Sequence, residues 1–225
     1  MELKNAGLFA REYGALVFDT TSSNTGVLKG AATFLEKELN TKLLWLACRH
    51  HIYELILGAV WTQIFGPSKS KNNLDFKEFQ ERWNEIDKCL PTYTLPDFSD
   101  GHLNTFKLKT ISVLQDVLSC EKSKLPRDDY MESCELALIM LSVKPHRWLK
   151  KDHWLSPGVF NNARWMAALL YAPKMLAFGR QLENWTEEYL KKIEQFVTFI
   201  SLLYMRYWIQ SANGRDAPYH DLAFF

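Results

Sequence analysis

Only two short stretches of this chain have the apolar character that β-strands need, and both lie within the first fifty residues. They are Ala15–Phe18 (ALVF) and Lys42–Cys48 (KLLWLAC). Each precedes a segment with apolar residues at helical spacing, Gly26–Leu39 and His51–Phe65. The order strand, helix, strand, helix is typical of a sheet covered by helices, so we predict an α/β segment with buried strands in residues 1–66.

Polar residues predict where the first helix of this segment begins and ends. Asn24 or Thr25 is the predicted cap at the start of the first helix, because short polar side chains satisfy free amides there. Asn40 is the predicted stop of the same helix.

Beyond residue 66 the sequence predicts helices only. These are Leu74–Asp87, Asn104–Cys120, Arg127–Ser142, Val159–Arg180 and Thr186–Ser211. Residues 67–225 are therefore predicted to form a large all-α domain, which makes the chain mostly helical overall. Because two strands alone do not make a stable sheet, we expect the α/β segment to be a fragment of a larger domain.

The charge balance and the cysteines limit which partners and which cell compartment the sequence favours. The formal net charge is +1, so any DNA contact needs a local basic patch rather than a general basic excess. The four cysteines, Cys48, Cys89, Cys120 and Cys134, show no CxxC spacing, which favours reduced thiols in a nuclear or cytoplasmic protein. No uninterrupted apolar run reaches the ~18 residues of a membrane span, so no membrane association is predicted.

Asp19 is the first candidate for chemistry. It follows the first apolar run directly, where a carboxylate can face a ligand at the end of a strand. It could bind Mg²⁺, although such sites usually add a second carboxylate. The alternative is an Asx-turn, in which Asp19 bonds backbone amides of the following Thr/Ser/Asn segment.

The second candidate is Cys48-Arg-His-His51, a CxxH motif at the end of the second strand. Zinc binding needs a second pair of ligands at suitable spacing, and none is evident. Cys48 and His51 could instead be a nucleophile and its base, or a packing motif at a helix start with an inert thiol.

The third candidate is a basic, Trp-containing loop, KPHRWLKKDH, followed by Arg164-Trp165. Basic side chains bind phosphates and Trp rings stack on exposed bases. The candidate DNA contacts are Arg147, Trp148, Lys150, Lys151, Arg164 and Trp165. A solvated loop with its Trp residues packed on the helices is the alternative.

The segments FDTTSSNTG and ACRHHIYEL together resemble the core of hAT-superfamily transposases. The resemblance implies an RNase H-like fold with a DDE triad, Mg²⁺ as cofactor, DNA as partner and a nuclear location. It places Asp19 as the second acidic residue of the triad, and Cys48 and His51 as the CxxH motif. It identifies the residues from about Asn73 onward as the family's helical insertion.

Two expected parts of that triad are absent from this sequence. The eighteen residues before Asp19 contain no Asp, and we expect the chain to stop inside the insertion, before the last catalytic Glu. Because two-metal strand transfer needs several carboxylates around two ions, we predict no nuclease or strand-transfer activity for this polypeptide alone.

Two further hypotheses remain open. The abundant aromatic residues favour a helical protein-interaction module, or a homo-oligomer, if they are exposed. A standalone Cys/His enzyme would require a reactive Cys48.

Overall fold

The computed structural model describes residues 14–67, 74–89, 91, 95–98, 101–119, 125, 127–146, 154–158, 165–211, 219 and 222. These residues are mostly helical, which confirms the prediction, and they contain a small sheet of two strands. The chain divides into two compact units, Met1–Leu55 and Ile56–Phe225, which we call the sheet unit and the helical unit.

The sheet consists of two parallel strands, β1 (Ala15–Phe18) and β2 (Leu44–Ala47). Parallel strands need a crossover connection, and here a single turn of helix, α1 (Ser22–Thr25), and a longer helix, α2 (Ala31–Leu39), provide it. A third helix, α3 (Arg49–Phe65), follows β2 and continues from the sheet unit into the helical unit.

The prediction of buried strands is wrong, because no residue of β1 or β2 is buried and one face of the sheet is largely exposed. Side chains alternate along a strand, and Ala15 pairs with Leu44 and Val17 with Leu46. These four side chains share one face, which we call the exposed sheet face. Val17 is 69% exposed, Leu44 62% and Leu46 42%. An apolar run leads to burial only where another layer covers it, and the described residues leave this face open.

The side chain of Glu36 connects α2 to the residues at the start of β2. Its carboxylate accepts hydrogen bonds from Lys42 Nζ at 2.7 Å, the Leu43 amide at 3.0 Å and the Trp45 indole at 3.0 Å. These three bonds, led by that from Lys42, hold the pKa of Glu36 below its usual 4.5. Because three donors surround it, the buried carboxylate is satisfied in its charged form.

The first turn of the predicted helix Gly26–Leu39 is wrong, because α2 begins only at Ala31. The Gly30 amide donates to the Gly26 carbonyl at 2.7 Å, and a Cβ on Gly30 would lie 2.5 Å from the Gly26 backbone. The chain therefore turns tightly where only glycine fits. Val27 and Leu28, which the helical pattern included, are 83% and 79% exposed.

The predicted cap at Asn24 or Thr25 is also wrong, because both residues lie within α1 and Gly30 precedes α2. The predicted stop at Asn40 is confirmed. Asn40 ends α2 in the left-handed region, with φ of 49°. Its amide donates to the Lys37 carbonyl, a hydrogen bond typical of a helix C-terminus.

The helical unit adds six α-helices within the described residues. They are α4 (Leu74–Glu81), α5 (Gly101–Ser119), α6 (Asp128–Met140), α7 (Trp165–Phe178), α8 (Glu187–Phe199) and α9 (Met205–Gln210). All lie within the predicted helices or within three residues of their bounds. The prediction missed a π-helical segment, Ile200–Tyr204, between α8 and α9. The Thr110 hydroxyl of α5 donates to the Leu202 carbonyl of this segment at 2.7 Å.

Aromatic side chains form much of the core of the helical unit. Trp61 stacks on Phe65 with ring centroids 4.1 Å apart and meets Phe76 and Phe196 edge-on. Phe76 in turn stacks on Tyr171 at 4.8 Å. These rings pack together inside the unit, so they belong to its core.

An ion pair is buried in the same core. Lys174 Nζ of α7 lies 2.6 Å from Glu132 Oε1 of α6, and the Lys174 side chain is 1% exposed. The ammonium also lies 5.9 Å from the Trp83 ring centroid. Burial lowers the pKa of Lys174, and the charge of Glu132 opposes that shift. Because both charges are buried, removal of either partner would leave the other charge without solvent or a counter-ion.

Candidate functional site

Asp19 and the CxxH motif lie at the same edge of the sheet, which we call the motif edge. Asp19 follows β1, and Cys48 follows β2. Because the strands are parallel and Phe18 pairs with Ala47, both motifs come at the carboxyl end. The Cys48 amide donates to the Phe18 carbonyl at 2.8 Å, which extends the pairing to the motif. Ligands of open α/β sheets bind at such an edge.

The Asp19 carboxylate organises the turn that follows β1. Its Oδ1 accepts hydrogen bonds from the Thr21 amide at 3.0 Å, from the Thr21 hydroxyl and from Asn24 Nδ2 at 2.8 Å. The bond from the amide two residues later defines an Asx-turn. This alternative reading of Asp19 therefore has direct support in the hydrogen bonds.

The same contacts keep Asp19 charged. The pKa of Asp19 is lowered from its usual 3.8, chiefly by the Thr21 hydroxyl, then by the Thr21 amide, and further by Asn24 and the charge of His51. The motif edge thus combines a carboxylate with the nearby histidine of the CxxH motif. Cys48 is half-buried at the start of α3.

A two-metal centre is not evident among the described residues at this edge. Within the described ranges, no group of three or more His, Cys, Asp or Glu side chains could hold a metal ion. A two-metal reaction needs carboxylates that bridge and flank both ions, and Asp19 Oδ1 already accepts three hydrogen bonds.

The structure brings together one part of the sequence-predicted site only. Asp19, Cys48 and His51 belong to the motif edge. Arg147, Trp148, Lys150, Lys151 and Arg164 lie outside the described residues. Trp165 is the first residue of α7, and its side chain is outside the described set as well.

Sequence reasoning missed Glu36. Its carboxylate and Lys42 border a surface cavity of about 400 Å³ on α2. A single Glu in an amphipathic helix looks like an ordinary solvated charge, and only the fold brings the Trp45 indole to it.

No protein-family model, curated protein or solved structure matches this chain. Among the helices that the structure describes, none combines the length and the apolar character of a membrane span.

Proposed function

We propose that this chain derives from a transposase of the hAT superfamily, and that its sheet unit is part of an RNase H-like fold. In this proposal the chain binds DNA in the nucleus and does not cleave it. The supporting observation is the parallel pairing of β1 and β2, which puts Asp19 and the Cys48–His51 motif at one sheet edge. The resemblance to hAT transposases rests on the same two motifs.

The chemistry at the motif edge supports binding without cleavage. Strand cleavage by two metal ions requires several converging carboxylates. Asp19 contributes one, and its Oδ1 is engaged by Thr21 and Asn24. We therefore expect DNA affinity to depend on lysines of the basic loop, such as Lys150 and Lys151, and not on Asp19.

Two assays on the full chain test this proposal. Incubation of supercoiled plasmid with Mg²⁺ or Mn²⁺ is expected to give no nicking. Fluorescence anisotropy with duplex DNA is expected to show binding that weakens steeply with salt, because released counterions drive it. Lys150→Ala/Lys151→Ala should weaken binding, whereas Lys191→Ala/Lys192→Ala on α8 is the matched control.

Either of two results contradicts the proposal. Metal-dependent nicking that Asp19→Asn abolishes would show a complete active site. Absence of DNA binding even at low salt would remove the DNA-binding role.

A second candidate function is protein binding or self-association through the sheet unit, and the exposed sheet face favours it. Val17, Leu44 and Leu46 present adjacent apolar side chains to solvent. Sedimentation of wild type and of Leu44→Lys/Leu46→Lys separates the cases. Concentration-dependent oligomers that the variant loses support this role, and a wild-type monomer at all concentrations argues against self-association.

A further inference from the structure

A cavity of about 470 Å³ lies in the helical unit beside the end of α6. This volume is within the range of small-molecule sites, about 300–1,000 Å³. Its apolar lining includes Pro91, Ile139, Val143 and Trp154. The Trp154 ring makes a T-shaped contact with the buried Phe178 ring, with centroids 4.7 Å apart. This contact fixes Trp154 against the core.

The charged groups in the described lining of the cavity are both positive. Lys88 and Lys144 line it, and its described lining contains no carboxylate. Lys88 Nζ donates to the Trp83 carbonyl at 2.5 Å and lies 5.1 Å from the Trp83 ring centroid. An ammonium has three N–H donors, so this contact positions Lys88 and leaves donors for another acceptor.

The carbonyls at the end of α6 are satisfied by the backbone. A helix C-terminus leaves four carbonyls without intrahelical partners and attracts cations. Here backbone amides already donate to the last four carbonyls of α6. The pairs are Leu141 to Ala137, Val143 to Leu138, Ser142 to Ile139 and Leu95 to Met140, at 2.9–3.1 Å.

The backbone is strained at the same place. Ser142 lines the cavity and has φ of 64°, in the left-handed region that glycine normally occupies at a helix end. The left-handed turn at Ser142 brings Val143 and Lys144, just after the end of α6, to the cavity.

We propose that this cavity binds a small amphipathic anion. Lys88 and Lys144 hold its carboxylate or phosphate group, and its flat apolar group lies among Trp154, Ile139 and Val143. Two ammonium groups beside an apolar surface attract an anion and not a neutral molecule of the same shape, so the anion should bind more strongly. This inference does not depend on the transposase proposal.

Cys89 gives a direct readout, because its exposed thiol also lines the cavity. The experiment measures alkylation of Cys89 by iodoacetamide, a neutral reagent, through peptide mass spectrometry. The probe is 2-naphthoate, and the neutral isostere 2-naphthamide is the matched ligand control. Cys134, which is fully buried, reports any general unfolding.

We expect naphthoate to slow alkylation of Cys89 in a saturable manner, and naphthamide to need about a tenfold higher concentration for the same effect. Lys88→Met/Lys144→Met should remove this preference for the anion. Lys191→Met/Lys192→Met, on α8, should keep it.

Three results overturn the inference: no protection by naphthoate, equal protection by naphthamide, or an unchanged preference in the Lys88/Lys144 variant. If Cys134 becomes reactive in that variant, the wild-type protein still decides the question. Added salt should then weaken protection by naphthoate but not by naphthamide, and equal salt responses contradict the proposal.

Discussion

The sheet unit and the helical unit contain similar apolar side chains but bury them to different extents. In the helical unit, Leu114, Ile193 and Phe196 are completely buried. In the sheet unit, Val17 and Leu44 are mostly exposed although they lie in strands. A helix satisfies its own backbone and needs cover on one side only. A parallel sheet has two apolar faces to cover, and no residue of the two described strands is buried on either face.

The polar interactions differ in the same way. The helical unit buries a complete ion pair, Lys174 with Glu132. In the sheet unit the partner of the buried Glu36 is Lys42, whose side chain is 90% exposed. Desolvation therefore makes one pair critical and leaves the other close to an ordinary surface contact.

The largest expected effect comes from breaking the buried pair. Lys174→Met leaves the Glu132 carboxylate buried without its cation and should cost about 3–5 kcal/mol of unfolding free energy in urea titrations. The corresponding change in the sheet unit, Lys42→Met, should cost far less, because Leu43 and Trp45 still donate to Glu36.

A double variant separates lost charge from lost packing. Lys174→Met/Glu132→Met removes both charges and should recover most of the stability. If the double variant is no more stable than Lys174→Met, the pair is not the reason for the loss.

The next largest effect comes from leucine-to-alanine substitutions, which measure the difference in burial between the units. Leu114→Ala should cost about 2–5 kcal/mol, because it empties a fully buried site. Leu44→Ala on the exposed sheet face should stay within about 0.5 kcal/mol. Urea unfolding followed by circular dichroism gives both values. A large cost at Leu44 would mean that this face is covered in solution.

The pH dependence of stability should differ between the units, with a loss at alkaline pH in the helical unit and at acid pH in the sheet unit. In the helical unit, burial raises the pKa of Cys134 from its usual 9.0 to about 12. The folded state then keeps a proton that the unfolded chain releases, so this contribution to stability is lost as the pH rises above about 9. The loss is at most about 1.4 kcal/mol per pH unit for one proton. Cys134→Ala should show a shallower alkaline decline than wild type.

The sheet unit should respond to acid instead. The pKa of Glu36 is lowered chiefly by its hydrogen bond from Lys42. The pKa of Asp19 is lowered chiefly by its hydrogen bond from Thr21. Both groups favour the fold above their unfolded values of 4.5 and 3.8, and that contribution disappears as the pH falls below them. We expect Glu36→Gln to lose less stability than wild type as the pH falls, measured by Trp45 fluorescence during unfolding. An unchanged acid profile in this variant would contradict the role of the three hydrogen bonds.

The smallest expected effect concerns two equivalent helix ends. Asn40 ends α2 and Ser142 follows α6, both in the left-handed region. Each is joined to its helix by the same pattern of backbone bonds. Ser142→Gly should stabilise the helical unit by about 1 kcal/mol, because serine is strained there. Asn40→Gly should change thermal stability less, since asparagine tolerates this conformation. Equal effects at both positions would show that the residue type is not the cause.

Local pattern in the sequence determined the elements of this protein. The apolar runs predicted both strands, helical spacing predicted the longer helices, and Asn40 marked the end of α2. The alternation of strands and helices also put Asp19 and Cys48 at strand ends, which is enough to place them at one edge once the strands are parallel.

Long-range contacts decided the rest. The sequence could not reveal that Val17 and Leu44 face solvent, because an apolar run has the same composition whether or not a layer covers it. It could not show that Lys174 meets Glu132, forty-two positions away in the chain. Sequence fixes local backbone preferences, whereas burial, charge pairing and cavities depend on which distant segments meet, and only the tertiary structure determines that.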